Sequence, residues 1–333
     1  MIGVVNHPGR QPEHFALERF QGCKAFRVHA SFQALSRLVQ SPPGGNAMTV
    51  TFRQLTPAFG AEVSGVDIAG GVSNSDFAEI ARLFNDYSVL VFRGQHMDDG
   101  QQIAFSKRFG PLEGTVRSNV GAGSEIAVIS NVDPETDEIL PAEDWRNVYN
   151  SGNEMWHTDS SFKRVPATAS LLSGREVPPE EGETEFATGR AAWDDLEDSL
   201  KEELDGLVAI HDFAYSRGLI RSDLVDEAQR RETPPVPQAV VRSNPANGRR
   251  NIYAGAHASH IRGRDVEESR AFLRSLTDRI VQERYIYTHR WRQGDLVMWD
   301  NRCCLHRGRP WNKGKYRRVM HRTTVAGIGP TAA

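Results

Sequence analysis

The sequence predicts a mixed, mainly β fold: a double-stranded β-helix, or jelly-roll, core with helices packed outside it. Three observations predict it. Short apolar or alternating runs bounded by turn residues recur along the chain, as short strands do. Only a few segments carry a helical period, and they flank the strands. No internal repeat or low-complexity tract suggests a solenoid instead. Many short strands with a few helices are the pattern of two stacked sheets with helices on their outer faces.

The elements follow in order. Residues 1–47 differ from the rest, with a weak helical pattern around Phe32, Leu35, Leu38 and Val39 and then Ser41-Pro42-Pro43-Gly44-Gly45-Asn46. They lack the compact apolar core of a signal peptide and are expected to be a disordered extension or a product of start-site choice. The organised domain is placed at 48–333. Thr49 to Gly60 reads as strand and turn. Ser75 is expected to cap a helix whose apolar face is Phe77, Ile80, Ala81 and Phe84. Ser88–Phe92 has the uninterrupted apolar character of a buried strand ending at Gly94, and Gly100–Phe109 is a short helix stopped by Gly110-Pro111. Glu125–Val132 reads as another strand. Trp193, Leu196, Leu200, Leu204 and Leu207 form one long amphipathic stripe, and Phe272, Leu273, Leu276 and Ile280 a second. Further strands are expected at 167–173, 251–254, 285–291, 295–300 and 319–325.

Composition narrows the function classes. A chain of 333 residues can bury a large core, and a net charge of −3 gives no support for nucleic-acid or membrane-surface binding. No apolar run approaches the roughly 20 residues of a membrane helix. Three cysteines, two of them the adjacent Cys303 and Cys304, argue against a disulfide framework and for a reducing cytoplasm. A homo-oligomer is compatible with all of this but nothing in the sequence selects it.

The most informative stretch is Trp156-His157-Thr158-Asp159. On an extended segment His157 and Asp159 point to one side, because strand side chains alternate. They supply two ligands of a 2-His-1-carboxylate triad, which holds Fe(II) and leaves positions open for co-substrate and O2. An isolated His-x-Asp is also readily a coincidence. Eleven histidines compete for the third position. His306 is favoured by its surroundings: it follows the apolar Leu296–Trp299 and the turn-like Asp300-Asn301, and precedes an arginine-rich run. In that run Arg318, Met320 and Arg322 share one strand face. Two guanidiniums on one face suit two carboxylates, those of 2-oxoglutarate and of a small acidic substrate. The plainer reading makes them solvated edge charges.

Together these residues resemble the taurine dioxygenase family of Fe(II)/2-oxoglutarate-dependent oxygenases. The family pattern runs His-x-Asp/Glu, then Thr or Ser about two dozen residues on, then a distant His and an Arg shortly after. His157, Asp159, Thr184, His306 and Arg318 fit it. The resemblance implies that Thr184 and Arg318 hold the distal carboxylate of 2-oxoglutarate and that Arg322 lies beside the acidic end of the substrate. Arg317 also satisfies the last interval; Arg318 is preferred for its four-residue spacing to Arg322. Stretches such as Ser88–Gln95, Gln101–Gly114, Trp156–Phe162, Gly182–Phe186, Gly255–His260 and His289–Gly308 are similar to the branch acting on aryloxyacetates such as 2,4-dichlorophenoxyacetate. That branch hydroxylates the carbon alpha to the carboxylate and releases a phenol and glyoxylate, with succinate and CO2 from 2-oxoglutarate. The chain departs from the pattern by one extra residue between His306 and Arg318 and at Thr115–Asn119.

The same branch implies substrate contacts at His211 and Arg217, and Asn131 and Ser161 are further hydrogen-bond candidates near the pocket. Each of the four has an ordinary structural reading too, as a turn, strand-end or loop residue. The alternatives are a taurine, alkylsulfonate or sulfate-ester dioxygenase of the same family, or a non-catalytic jelly-roll binding protein. A zinc hydrolase would need a general base such as that of His-Glu-x-x-His, which the chain lacks.

Overall fold

The computed structural model describes residues 50–115 and 123–332. The expected N-terminal extension at 1–47 and most of the divergent Thr115–Asn119 stretch lie outside the described residues. The elements are β1 (Thr51–Gln54), β2 (Ala61–Ser64), α1 (Asn74–Tyr87), β3 (Val89–Phe92), α2 (Asp99–Lys107), β4 (Ala127–Ser130) and α3 (Trp145–Asn150). A 3₁₀ turn (Ser151–Glu154) leads on to β5 (Ala169–Glu176), β6 (Thr184–Thr188), α4 (Gly189–Asp194), α5 (Asp198–Leu204), β7 (Val208–His211) and α6 (Phe213–Gly218). Then come α7 (Glu227–Glu232), β8 (Val236–Ala239), β9 (Val241–Ser243), β10 (Arg250–Ile252), β11 (Ala258–Ile261) and α8 (Val266–Ile280). The chain closes with β12 (Ile286–His289), β13 (Leu296–Asp300), β14 (Cys304–Gly308) and β15 (Val319–Val325).

Among the described residues the large sheet has the order β1-β2-β3-β13-β5-β15-β4, and a smaller one the order β12-β6-β14. The apolar runs are uninterrupted because the large sheet is covered on both faces. Val89, Val91, Leu172, Val297, Trp299 and Met320 turn inward and pack against Phe186 and Cys304 of the small sheet. Their neighbours Leu90, Phe92, Leu171, Leu296 and Met298 turn the other way, onto Ile80, Leu83, Phe84 and Phe105 of α1 and α2. The back of the small sheet, through Ala187 and Leu305, meets Trp193, Leu204, Leu273 and Leu276 of the remaining helices. The result is a stack of helices, large sheet, small sheet and helices.

Two local expectations need correction. The cap of α1 is Ser73, whose hydroxyl accepts the Asp76 N–H at 3.1 Å, so Ser75 sits inside the first turn. The stripe from Trp193 to Leu207 is two short helices, not one. Asp194, Asp195, Glu197 and Asp198 crowd the joint; carboxylates are unfavourable at the C-terminus of α4 but suit the N-terminus of α5. The apolar stripe survives because both helices face the same core.

Arg190 ties these layers to the site. Its buried guanidinium donates to Asn85 O and Ser88 Oγ, both at 2.7 Å, and to Asp300 Oδ2 at 3.1 Å. It thereby links the end of α1 to the end of β13. Asp300 also accepts from Arg302 Nε and Nη2 at 2.8 and 2.9 Å, so losing Arg190 removes its own hydrogen bonds without stranding the carboxylate. An Arg190→Met variant is expected to lose about 1–3 kcal/mol of stability, the cost of buried acceptors left unmet at Asn85 and Ser88, read from the urea unfolding midpoint.

Candidate metal centre

His157 is not part of a regular strand. It makes a single β-bridge to His306 in β14, with His157 N–H donating to His306 O at 3.1 Å and His306 N–H to His157 O at 2.8 Å. The chain turns at Asp159-Ser160, with Ser160 at φ 56°, and Asp159 faces the two rings. The His157 and Asp159 side chains meet on one side, as the His-x-Asp spacing predicts, and the chain turns just beyond them. Candidate ligand atoms of His157, Asp159 and His306 all lie within 4.8 Å of one another, and all three residues are buried. His157 Nε2 is 4.0 Å from Asp159 Oδ1, and His306 Nε2 is 3.8 Å from Asp159 Oδ2. His157 Nδ1 is engaged with Met155 O at 2.7 Å, which leaves Nε2 as the free ring nitrogen. Two imidazoles and one carboxylate on one side of an ion fit a divalent transition metal that keeps open positions.

Asp159 is held from behind. Ser170 Oγ donates to its Oδ2 at 2.6 Å, and Asn301 Nδ2 donates to Ser170 Oγ at 2.9 Å. Asn301 Oδ1 accepts from Trp299 Nε1 at 2.9 Å and from the Asp159 N–H at 3.2 Å, while Thr158 Oγ1 donates to Asn301 O at 2.8 Å. Asn301 is thus the hub that fixes the 158–159 segment. In the sequence it shows only as a turn residue. Gly255 (φ +115°) is the other hidden support. A Cβ there would come within 3.1 Å of Trp156 O and 2.9 Å of Leu305, so glycine lets the 255–257 loop lie against the His157 backbone.

The electrostatics suit a cation. Burial works to raise the Asp159 pKa, but the Arg322 guanidinium, then His306 and His157, hold it well below the usual carboxylate range. Burial pushes both His157 and His306 down, with Arg322 adding to the effect. An ionised carboxylate and two neutral imidazoles are the forms that bind metal.

The arginines of the 317–322 run separate cleanly. Arg317 points outward and pairs with Glu176 and Asp137, at 2.6 Å each. His321 also faces out, 2.7 Å from Asp99. Arg318 turns inward toward a cavity it shares with Asn131, Asn153, Gly308 and Trp311, and burial brings its pKa down to about 10. Thr184 pairs with Gly308 across β6 and β14, and its hydroxyl accepts from Trp291 Nε1 at 2.9 Å. Arg322 donates to Asp159 Oδ1 at 2.6 Å.

A second, narrow cavity of about 60 Å³ has His157 and Asp159 in its lining. Arg217, Arg322 and His257 supply polar groups, and Tyr149, Phe162, Phe213 and Ile129 supply apolar walls. His257 stands 6.1 Å from the His157 ring and was visible in the sequence only as a loop histidine. Three of the expected substrate contacts fall elsewhere. His211 is fully buried behind the cavity, stacked on Tyr253 with ring centroids 5.5 Å apart. Ser161 is also fully buried and does not line the cavity. Asn131 spends its side chain on the loop before β15, donating to Lys313 O and Tyr316 O at 2.7 and 2.9 Å and accepting the Arg318 N–H at 2.8 Å.

Two measurements follow from this geometry. Residues behind a metal ligand commonly set affinity by 10–100-fold. Asn301→Ala and Ser170→Ala proteins are therefore expected to bind Mn(II) about 10–100-fold more weakly than the parent, by calorimetric titration. For His211, burial first and then Arg242 bring the pKa down to about 3. The unfolded chain, with an ordinary value near 6.5, then takes up a proton that the fold refuses, so stability falls as pH drops below about 6.5. In urea titrations the stability gap between the parent and His211→Gln should narrow by about 1.4 kcal/mol per pH unit between roughly pH 6 and 4.

The profile of the "Taurine catabolism dioxygenase TauD, TfdA family" matches residues 51–324. The alpha-ketoglutarate-dependent 2,4-dichlorophenoxyacetate dioxygenase of Cupriavidus pinatubonensis is 43% identical over 284 residues, covering 84% of this chain and 98% of that enzyme. The (S)-phenoxypropionate/alpha-ketoglutarate-dioxygenase of Sphingobium herbicidovorans is 35% identical, covering 82% of this chain and 93% of that one. Among solved structures, AAD-2 in complex with Mn(II) and N-oxalylglycine superposes with a TM-score of 0.79 at 38% identity, over 86% of this chain and all of that chain. A match over most of the chain, with a buried His-Asp-His cluster beside its cavity, makes this protein a member of the TauD/TfdA dioxygenase family.

Proposed function

We propose that the protein is an Fe(II)- and 2-oxoglutarate-dependent dioxygenase that hydroxylates the carbon alpha to the carboxylate of an aryloxyacetate such as 2,4-dichlorophenoxyacetate. The observation that carries the reading is a cavity combining His157 and Asp159, two guanidiniums and an aromatic wall, in a chain 43% identical to a relative that acts on such an acid. The facing sheets are read as a double-stranded β-helix, with 48–333 as the catalytic domain and the cytoplasm as its place of work. Among the described residues no helix is long and apolar enough to cross a membrane.

His157, Asp159 and His306 would hold the iron. Bound iron with 2-oxoglutarate supplies the oxidant from O2, yielding succinate and CO2. Arg318 is the chosen anchor for the distal carboxylate of 2-oxoglutarate, since Arg317 is committed to two surface carboxylates. Thr184 assists it, and Asn131 positions the Arg318 backbone. Arg217 and Arg322 draw the substrate carboxylate inward, and Phe162, Phe213, Tyr149 and Ile129 take the ring. Fixing both ends of the acid presents the carbon between ether oxygen and carboxylate, and the packed ring excludes water. A hydroxyl on that carbon makes a hemiacetal, which breaks its carbon–oxygen bond to give the phenol and glyoxylate.

Anaerobic Fe(II) and 2-oxoglutarate should produce a weak visible absorption band that shifts when an aryloxyacetate is added and is absent in His157→Ala and Asp159→Ala proteins. On admitting oxygen, phenol and succinate should appear in equal amounts. Sulfite release from taurine without phenol from phenoxyacetate would move the substrate class to sulfonates.

A further inference from the structure

Arg217 is seated unusually tightly for a cation in a substrate cavity. Its guanidinium lies between two aromatic rings, 5.0 Å from the centroid of Tyr149 and 4.9 Å from that of Phe213. Its third wall is the backbone of the 151–154 turn at Gly152. A Cβ on Gly152 would fall 1.4 Å from Arg217 Nη1 and 2.5 Å from Cζ, and 3.2 Å from the end of Ile220. Gly152 is not in the left-handed region, so its backbone would accept any L-residue. Only the space it leaves explains a glycine there.

Among the described residues Arg217 forms no ion pair, whereas Arg322 is engaged with Asp159 and Lys163 with Glu113 at 2.6 Å. An enclosed guanidinium without a carboxylate partner is costly unless an anion arrives to meet it. Its contacts with the two rings and the Tyr149 side chain restrict how it can turn to meet one.

We propose that Gly152 is a specificity-determining position: by leaving room for Arg217 against the 151–154 turn, it sets where the carboxylate of the acidic substrate rests. It acts through Arg217 and is a positioning residue. The inference rests on the proposed function, since it presumes an acid in this cavity. Even one methyl group at 152 would expel the guanidinium from between Tyr149 and Phe213 and move the anchored carboxylate away from its place beside the metal centre.

The test is equilibrium binding of an aryloxyacetate to the full chain loaded with Mn(II) and N-oxalylglycine, so that no turnover intrudes. Gly152→Ala and Arg217→Met are each expected to weaken binding by about tenfold or more, the scale of a lost charge-assisted contact. The double variant removes the clash together with the cation, so it should fold even if Gly152→Ala alone does not. It should bind no more weakly than Arg217→Met, because Gly152 has nothing left to position. Unchanged binding by folded Gly152→Ala, or a further loss of about tenfold in the double variant, overturns the inference while leaving the proposed reaction standing. A parent protein that does not bind the acid removes both. Binding that responds as expected without phenol formation under oxygen removes the reaction alone.

Discussion

The pair of backbone hydrogen bonds between His157 and His306 is the constraint on which the rest of the site depends. It fastens an otherwise irregular segment to β14, an edge strand of the small sheet, bringing together two residues far apart in the chain. With the rings set 4.2 Å apart, Asp159, two residues on and on the same side, faces both. The 158–159 segment stays in place because Asn301, at the end of the large sheet, clasps Thr158 and Asp159. The centre thus forms where the two sheets meet, and neither sheet alone could assemble it.

Burial at this junction stores unmet electrostatic demand. Two imidazoles are kept neutral, one carboxylate is kept ionised by a neighbouring guanidinium, and further cations face inward at Arg217 and Arg318. Each costs desolvation energy that packing must offset. The hydrophobic layers on both faces of the large sheet provide it, at roughly 1.5–3 kcal/mol for each large apolar side chain taken out of water. A site poised for a cation and two organic anions is affordable only inside a core of this size.

Much of this was legible in the sequence. The apolar runs at Ser88–Phe92 and Leu296–Trp299 read directly as strands covered on both sides, and His157, Asp159 and His306 were singled out by residue type and surroundings. The alternation across Arg317, Arg318 and Arg322 also foretold which side chains point inward. What remained hidden depends on long-range contact. Asn301 looks like any turn residue until Ser170 and Thr158 are beside it. Gly152 and Gly255 carry no local signal, because what they avoid comes from elsewhere in the chain. The leucine stripe after Trp193 misled because period survives a break when two helices face one core. His211 and Ser161 misled because nearness in sequence to a pocket says nothing about which side of its wall a residue occupies.

The clamp at Asn131 has a consequence for how the chain can vary. It grips the carbonyls of Lys313 and Tyr316 and the N–H of Arg318, just upstream of the strand that carries the inward cations. Residues inserted between β14 and that clamp bulge into solvent, and the arginines beyond it keep their places. One added after Arg318 would exchange the inner and outer sets, sending Arg322 outside and a neighbour toward the metal centre. Length variation among descendants of this chain should therefore accumulate on one side of Asn131's grip and be absent from the other.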